Sequence, residues 1–487
     1  MPTSWPTAAS TTRADPMRSW EMTNSSAPTS AADAQVPDEV SLPAGATLAV
    51  VQAARDLTRV VPQEPSAVAK QCLLDWLGVA LAGASEPLTV MLTDELTGDN
   101  PVGEATLVGR SGCATAPVAA LVNGAAAHAL DFDDMHFAMS GHPTASVAAA
   151  ALALGERLRA SGAELVAALV AGVEVECRLG LLVNPSHYEL GWHATGTLGT
   201  FGAAAACASL LDLGEEGWLR AFGLAGTQAA GLNAVFGTMG KPLHAGKAAM
   251  NGLLAATLAM RGFTCRPDII EADQGFAATH AQELADVRVL DALSQRYLIR
   301  DTLFKYHAAC YWAHAAIDCA LELRDRPGLS PADVTDIEVE VSNEVIAAAD
   351  IAEPRTGLEG KFSVRTLIAM ALLGDDTANP LSYSDARMAA PELVELRKRV
   401  RVIAIGDHTP GVARLRIATR AGQRYEATAN TSAPATELAH QRERVAAKFT
   451  TLATPLLGAD RAEQIRNLID RLDELQSVGE LTAAYRL

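Results

Sequence analysis

The sequence predicts a mainly α protein, with a large all-helical domain and a smaller α+β domain after it. Three observations lead there. Ala-rich stretches with Leu and Val recurring at i, i+3 and i+4 fill the first half of the chain. Aromatic residues make up only 5% of the 487, so small side chains must form the contacts, which favours closely approaching helices over a β-sandwich. After Arg266-Pro267 the pattern changes to runs that alternate apolar and polar over a strand's length. At about 150 residues per domain, the length allows two or three domains.

The elements follow in order. Residues 1–45 are rich in Ser, Thr, Ala and Pro and show no hydrophobic periodicity. They lack the apolar segment of a secretory signal and are expected to form a disordered leader. Residues 46–265 are expected to form the helical domain, on the recurrence in Ala67–Ala82, Thr115–Ala129, Ser146–Leu158 and Gly162–Leu179. Residues 266–430 are expected to form the α+β domain. Its strands are read at Val334–Val341, Arg399–Ile405, Val412–Ala418 and Gln423–Ala429, and its helices at His307–Leu323 and Phe362–Leu373. Residues 431–487 read as charged helices that return to the first domain.

Composition excludes several classes of function. With 57 acidic against 39 basic residues the net charge is −18, which repels phosphate backbones and anionic membrane surfaces. No run reaches the roughly 18 strongly apolar residues of a membrane span. Seven cysteines without a CxxC pair fit free thiols in a reducing, cytoplasmic compartment.

Four segments concentrate groups capable of chemistry. The first is Asp131-Phe-Asp133-Asp134-Met-His136, followed by Gly141-His142-Pro143-Thr144. Its carboxylates and histidines suit a divalent metal, or an acid–base histidine beside carboxylates, or an acidic helix end running into a loop. The second is Gly191-Trp192-His193-Ala-Thr195-Gly196-Thr197, a histidine at a helix start where backbone N–H groups bind anions and a threonine can cap. The third, Gly240-Lys241-Pro242-Leu-His244-Ala-Gly246-Lys247, holds two of the chain's seven lysines. Lys241, His244 and Lys247, at i, i+3 and i+6, are expected on one side of a helix start, as a pocket for a small anion or as a solvated face. The fourth is Phe304-Lys305-Tyr306-His307-Ala-Ala-Cys310-Tyr-Trp-Ala-His314, where another lysine meets two histidines and a cysteine at the head of a helix.

Taken in this order, DFDD…GHP, GWHATGTLGTFGAAAA, FGTMGKPLHAGKAAMNG, FKYHAACYWAH and EGKFSV resemble the MmgE/PrpD family. That family includes 2-methylcitrate dehydratase, cis-aconitate decarboxylase and iminodisuccinate epimerase. The resemblance implies a large helical domain with a smaller α+β lid, a homodimer, and a cleft site with neither cofactor nor bound metal. It implies catalytic roles for His142, His193, Lys241 and Lys305, and a substrate-binding role for Asp131. Asp134, Thr144, Thr195, His244 and Lys247 complete the expected substrate contacts. The substrate implied is a small di- or tricarboxylate, attacked by proton abstraction next to a carboxylate. The sequence departs from the pattern at Thr366, where the family's decarboxylases and methylcitrate dehydratases carry a Tyr, whereas the epimerase branch does not. An epimerase of an imino- or amino-dicarboxylate is therefore the alternative, and a non-catalytic anion-binding member of the fold the third reading.

Overall fold

The computed structural model describes residues 42, 44–98, 102–292, 296–406 and 411–487. The leader expected over residues 1–45 lies outside the described residues except for Leu42, Ala44 and Gly45.

The first part of the chain is helical, as its periodicity predicts. Its principal helices are α1 (Ala46–Thr58), α2 (Gln63–Gly83), α3 (Ala116–His128), α4 (Pro143–Leu158), α5 (Gly162–Val183), α6 (Ala194–Leu210) and α7 (Gly240–Met260). Helix α7 lies against α3, α4 and α6, while α6 also packs on α4 and α5. Glycines make these approaches possible. A Cβ built on Gly246 of α7 would stand 2.2 Å from the carbonyl oxygen of Leu121 in α3. One on Gly252 would stand 2.5 Å from the backbone nitrogen of Ala204 in α6. At such separations backbone meets backbone, and only the absence of a side chain allows the contact.

The second part forms a four-stranded sheet from β1 (Val334–Val341), β2 (Val400–Ala404), β3 (Val412–Thr419) and β4 (Arg424–Asn430). The strand order is β2-β1-β3-β4, with β1 and β2 parallel and the other pairs antiparallel. Ile337, Val339, Val341, Leu415 and Ile417 are buried. Helix α8 (His314–Arg324) covers β3 and β4, while α9 (Val364–Leu373) packs on α8 and β2. The other residues of the alternation carry charge. Arg416 pairs with Glu338, Glu340 and Glu426 across three strands.

One predicted helix is corrected. His307–Leu323 is helical only from Tyr311, as a 3-10 turn over Tyr311–Ala313 that runs into an α-helix at His314. Upstream, the Ala308 and Cys310 N–H groups donate to the carbonyls of Thr377 and Lys361, at 2.9 Å each. These long-range bonds replace the i→i−4 ladder and hold residues 302–310 as an irregular segment against the helical body.

Helix α10 (Leu438–Leu457) packs on α2. It carries Lys448, whose Nζ lies 2.6 Å from Asp75 Oδ1 of α2 and donates to the Phe132 carbonyl at 2.6 Å. Both side chains are buried, at 2% and 1%. This pair ties the chain's return to the loop after α3. All seven cysteines are free. No single helix among the described residues is long and apolar enough to cross a membrane, although the bent pair Gln63–Gly83 and Pro87–Thr97 passes on length and composition.

Two stability measurements follow. Gly246→Ala should lower stability by about 1–3 kcal/mol through overpacking, read as a fall in Tm by circular dichroism. An unchanged Tm would show that α3 and α7 are free to separate. Lys448→Met leaves Asp75 buried without its counter-ion and should cost about 3–5 kcal/mol in chemical denaturation.

Candidate active site

Helix starts set the site's side chains. Pro143 occupies the first turn of α4, a position where its missing N–H is harmless. It also forces the preceding residue out of helical geometry, which leaves His142 as the N-cap. His193 is the N-cap of α6, and Lys241 is the second residue of α7. Neither histidine uses its side chain to cap its helix, so both rings are available elsewhere. Three helix N-termini thus converge, each carrying partial positive charge.

Asp131 lies at their meeting point. Its Oδ1 lies 2.9 Å from both Lys241 Nζ and Lys305 Nζ, forming an ion pair with each and accepting a hydrogen bond from Lys305. Lys305 Nζ also donates to the Asp131 carbonyl at 2.6 Å, and His142 Nε2 stands 3.5 Å from Oδ1. The Asp131 side chain is 47% accessible while that of Lys305 is 6% and that of His142 13%, so it is the open floor of a recess. Its backbone φ is +49°, a left-handed conformation that Asp adopts more readily than most residues but still at some strain. Burial opposes ionisation of Asp131, yet Lys305, Lys241 and His142 outweigh it and hold the carboxyl well below its ordinary range. Lys305, in turn, would be pushed down by burial, but Asp131 and Asp133 raise it.

The histidines are neutral in this field. Burial, opposed by Asp133 and helped by the Lys305 ammonium, brings His142 down to about 3. His193 is lowered further, by burial and then by His128 and Lys241. The short bond from His142 Nδ1 to the Asp134 carbonyl, 2.7 Å, assigns the proton to Nδ1 and leaves Nε2 as a base on the side of Asp131. His193 Nδ1 meets His244 Nδ1 at 3.0 Å, so one ring donates and the other accepts. The Phe236 ring stands edge-on to His193 and beneath the Lys241 ammonium, with centroid distances of 5.0 and 5.1 Å.

The structure therefore brings His142, His193, Lys241, Lys305, Asp131 and His244 together. Four other expectations are corrected. Asp134, Thr144 and Thr195, expected to bind substrate, are 1%, 2% and 0% exposed. Asp134 accepts the Thr144 hydroxyl and its N–H, while Thr195 Oγ1 accepts the His142 N–H at 3.1 Å. Burial and the nearby Asp75 push Asp134 up to about 8. These three residues brace the start of α4 behind His142. Lys247, expected on the same face as Lys241, is exposed with no partner among the described residues. Six residues along a helix correspond to about 120° around it.

One member went unread in the sequence. His128 ends Ala-rich α3, where a lone histidine reads as core. It is buried, its Nδ1 bonds Asp133 Oδ2 at 2.8 Å, and its ring lies 4.7 Å from that of His142 and 5.7 Å from that of His193. Its Nε2 has no hydrogen-bond partner among the described residues. Asp133 is held well below its ordinary range, because His128 and His142 outweigh its burial. The available signal was spacing, since Asp131 and Asp133 follow His128 within five residues.

Donor atoms of His128, Asp131, Asp133 and His142 lie within 4.8 Å of one another, a span that would suit a divalent ion. The cationic place beside Asp131 is already filled by two ammonium groups, and His128 and Asp133 bond one another. The geometry therefore favours organic cations over metal. In the fourth segment, His307 bonds Thr377 and Asp318, at 2.8 and 3.1 Å, and serves the packing of the irregular segment. A cavity of about 560 Å³ beside Leu130 is lined mainly by apolar groups, including Leu81, Leu452 and Pro455. Neither His142 nor Lys305 lines it.

A helical body with an attached sheet, and a recess of two lysines, an aspartate and neutral histidines, define a class that comparison identifies. The chain belongs to the MmgE/PrpD family, matching the MmgE/PrpD N-terminal domain over residues 52–285 and the MmgE/PrpD C-terminal domain over 307–474. It is 27% identical over 435 residues to the cis-aconitate decarboxylase of Mus musculus, covering 85% of this chain and 87% of that one. It is 25% identical over 451 residues to the cis-aconitate decarboxylase of Aspergillus terreus, covering 86% and 91%.

Selective imidazole labelling, with His142→Ala for assignment, tests the protonation pattern. Between pH 7.5 and 5 the His142 signal should keep the neutral, Nδ1-protonated form. Its depressed pKa means the base form is lost only as pH falls toward about 3. Titration centred near the ordinary 6.5 would remove the assignment.

Proposed function

We propose that this chain is an MmgE/PrpD-type lyase acting on a small tri- or dicarboxylate, in the manner of a cis-aconitate decarboxylase or a 2-methylcitrate dehydratase. The observation that carries the reading is the pair of ammonium groups on Asp131 beside two neutral histidines. The names of the relatives support the substrate class.

The chemistry breaks a C–H or C–C bond next to a carboxylate, and the electron pair left behind forms a carbanion or enediolate. Lys241 and Lys305 face that charge from positions fixed before the reaction, and such preorganised cations stabilise it without reorganising. A substrate carboxylate competes with Asp131 for them. His142 Nε2, free and neutral, takes the proton, and the imidazolium so formed, or His193, returns one to carbon or to the leaving hydroxyl. In decarboxylation the leaving group is CO₂ and the carbanion is then protonated.

Thr366 favours a second reading. Its hydroxyl is buried and accepts a 2.9 Å bond from Ser363 within the cap of α9, so it gives the recess no proton donor comparable to a phenol. An epimerase of an imino-dicarboxylate needs only removal and return of one proton on opposite faces, for which His142 and His193 suffice.

The reading extends to a homodimer in the cytoplasm. Leu232, Phe236 and Met239, 52%, 39% and 48% exposed, border the site and support a covered surface there.

Product NMR in deuterated water, with 2-methylcitrate, citrate, cis-aconitate and iminodisuccinate, separates the readings. Loss of water or CO₂ that survives EDTA is the expected outcome. Deuterium uptake without net change would place the chain in the epimerase branch. His142→Ala and His193→Ala should each lower kcat by more than about 100-fold, and losses below about tenfold at both would overturn their assignment.

A further inference from the structure

When His142 takes a proton it becomes an imidazolium in a recess that already holds two ammonium groups, those of Lys241 and Lys305. Asp131 stands 3.5 Å from His142 Nε2, but its Oδ1 is shared by both lysines at 2.9 Å. The opposite edge of the ring, at Nδ1, faces a carboxylate oxygen that is not engaged. Asp133 Oδ1 lies 3.4 Å from His142 Nδ1 and has no hydrogen-bond partner among the described residues.

Asp133 belongs to the loop that follows α3, and His128 is the last residue of that helix. Both side chains are buried. His128 Nδ1 donates to Asp133 Oδ2 at 2.8 Å, and the His128 and His142 rings lie 4.7 Å apart. One oxygen of the carboxylate is thus tied down by one imidazole while the other is turned to a second. The His142 Nδ1 proton itself goes to the Asp134 carbonyl at 2.7 Å, so that carbonyl sets the direction of the ring and Asp133 supplies charge without a bond. A buried carboxylate oxygen without a donor is costly, and the cost is offset when positive charge forms beside it. Asp133 is ionised, because His128 and His142 outweigh its burial. Burial disfavours the charged form of His142, and among the neighbouring charges Asp133 opposes that most strongly, ahead of Asp131.

We propose that Asp133 is a positioning residue for proton abstraction, its Oδ1 being the built-in counter-charge of the His142 imidazolium and His128 the donor that holds it in place. This rests on the lyase reading above and deepens it. In the step, the substrate C–H bond breaks, an N–H bond forms at His142 Nε2, and the electron pair stays on carbon. No proton passes to Asp133. The ring keeps its Nδ1 proton on the Asp134 carbonyl and becomes positive 3.4 Å from a fixed carboxylate oxygen. That attraction is weak while the ring is neutral and grows as charge develops, so it favours the transition state over bound substrate.

The test uses the full chain and its Asp133→Asn variant, matched to the parent in Tm, with Asp133→Ser in its place should the Asn variant fold poorly. Steady-state rates are measured on whichever of the four acids of the product assay the parent turns over. Loss of the counter-charge should lower kcat about 100-fold or more, with KM within about threefold, because the interaction is made in the transition state. Imidazole NMR should show His142 still neutral and Nδ1-protonated in the variant, since the Asp134 carbonyl remains. A kcat loss below about fivefold, or a loss confined to KM, would overturn the inference and leave the lyase reading intact. So would a variant in which His142 has lost its Nδ1-protonated form, for Asp133 would then act by holding the ring. A parent that turns over none of the four acids would overturn both.

Discussion

A single carboxylate, Asp131, organises the centre of this molecule. It holds two lysines from separate parts of the chain, one at the start of α7 and one on the irregular segment before α8. Without it, two ammonium groups and three helix N-termini would face one another with little to offset their repulsion. With it, the lysines are fixed at 2.9 Å. Burial first, and the neighbouring lysines after it, lower the pKa of His142 and His193 and keep both rings neutral. The left-handed backbone of Asp131 turns its carbonyl and its carboxylate toward the same ammonium.

The rest of the architecture maintains this junction. Glycine contacts between α7 and its neighbours set how closely the helix starts converge. Lys448 anchors the loop after α3 from behind, through Asp75 and the Phe132 carbonyl. Asp134, Thr144 and Thr195 form a buried brace around His142. They fix the direction of the imidazole, because the His142 N–H groups of backbone and ring both have defined acceptors. Rigid supports of this kind cost no reorganisation when charge develops during reaction.

The sheet-bearing part has a separate role. Its core face packs against α8 and α9, while its Arg and Glu lattice faces outward. The backbone bonds from residues 308 and 310 to Thr377 and Lys361 couple it to the segment that holds Lys305. The position of a lysine contacting the helical body thus depends on chain that lies in the other part.

Much of this was legible in the sequence. The helices, the four strands and the clusters around Asp131, His142, His193, Lys241 and Lys305 all follow from local patterns: periodicity, Pro after the N-cap, and scarce lysines beside histidines. Local patterns suffice there because helix starts and strand alternation are decided by neighbours within a few residues. Only tertiary structure separated the residues facing the recess from those bracing it. Asp134 and Thr144 share the motif of Asp131 and His142, but the turn after α3 points them inward. His128 reads as core until Asp133 and two more histidines, one of them 65 positions later in the sequence, close around it. The helix expected at 307–310 yields to bonds with residues 361 and 377. In each case the deciding interaction spans the fold, and side-chain direction depends on which distant partner satisfies each buried polar group.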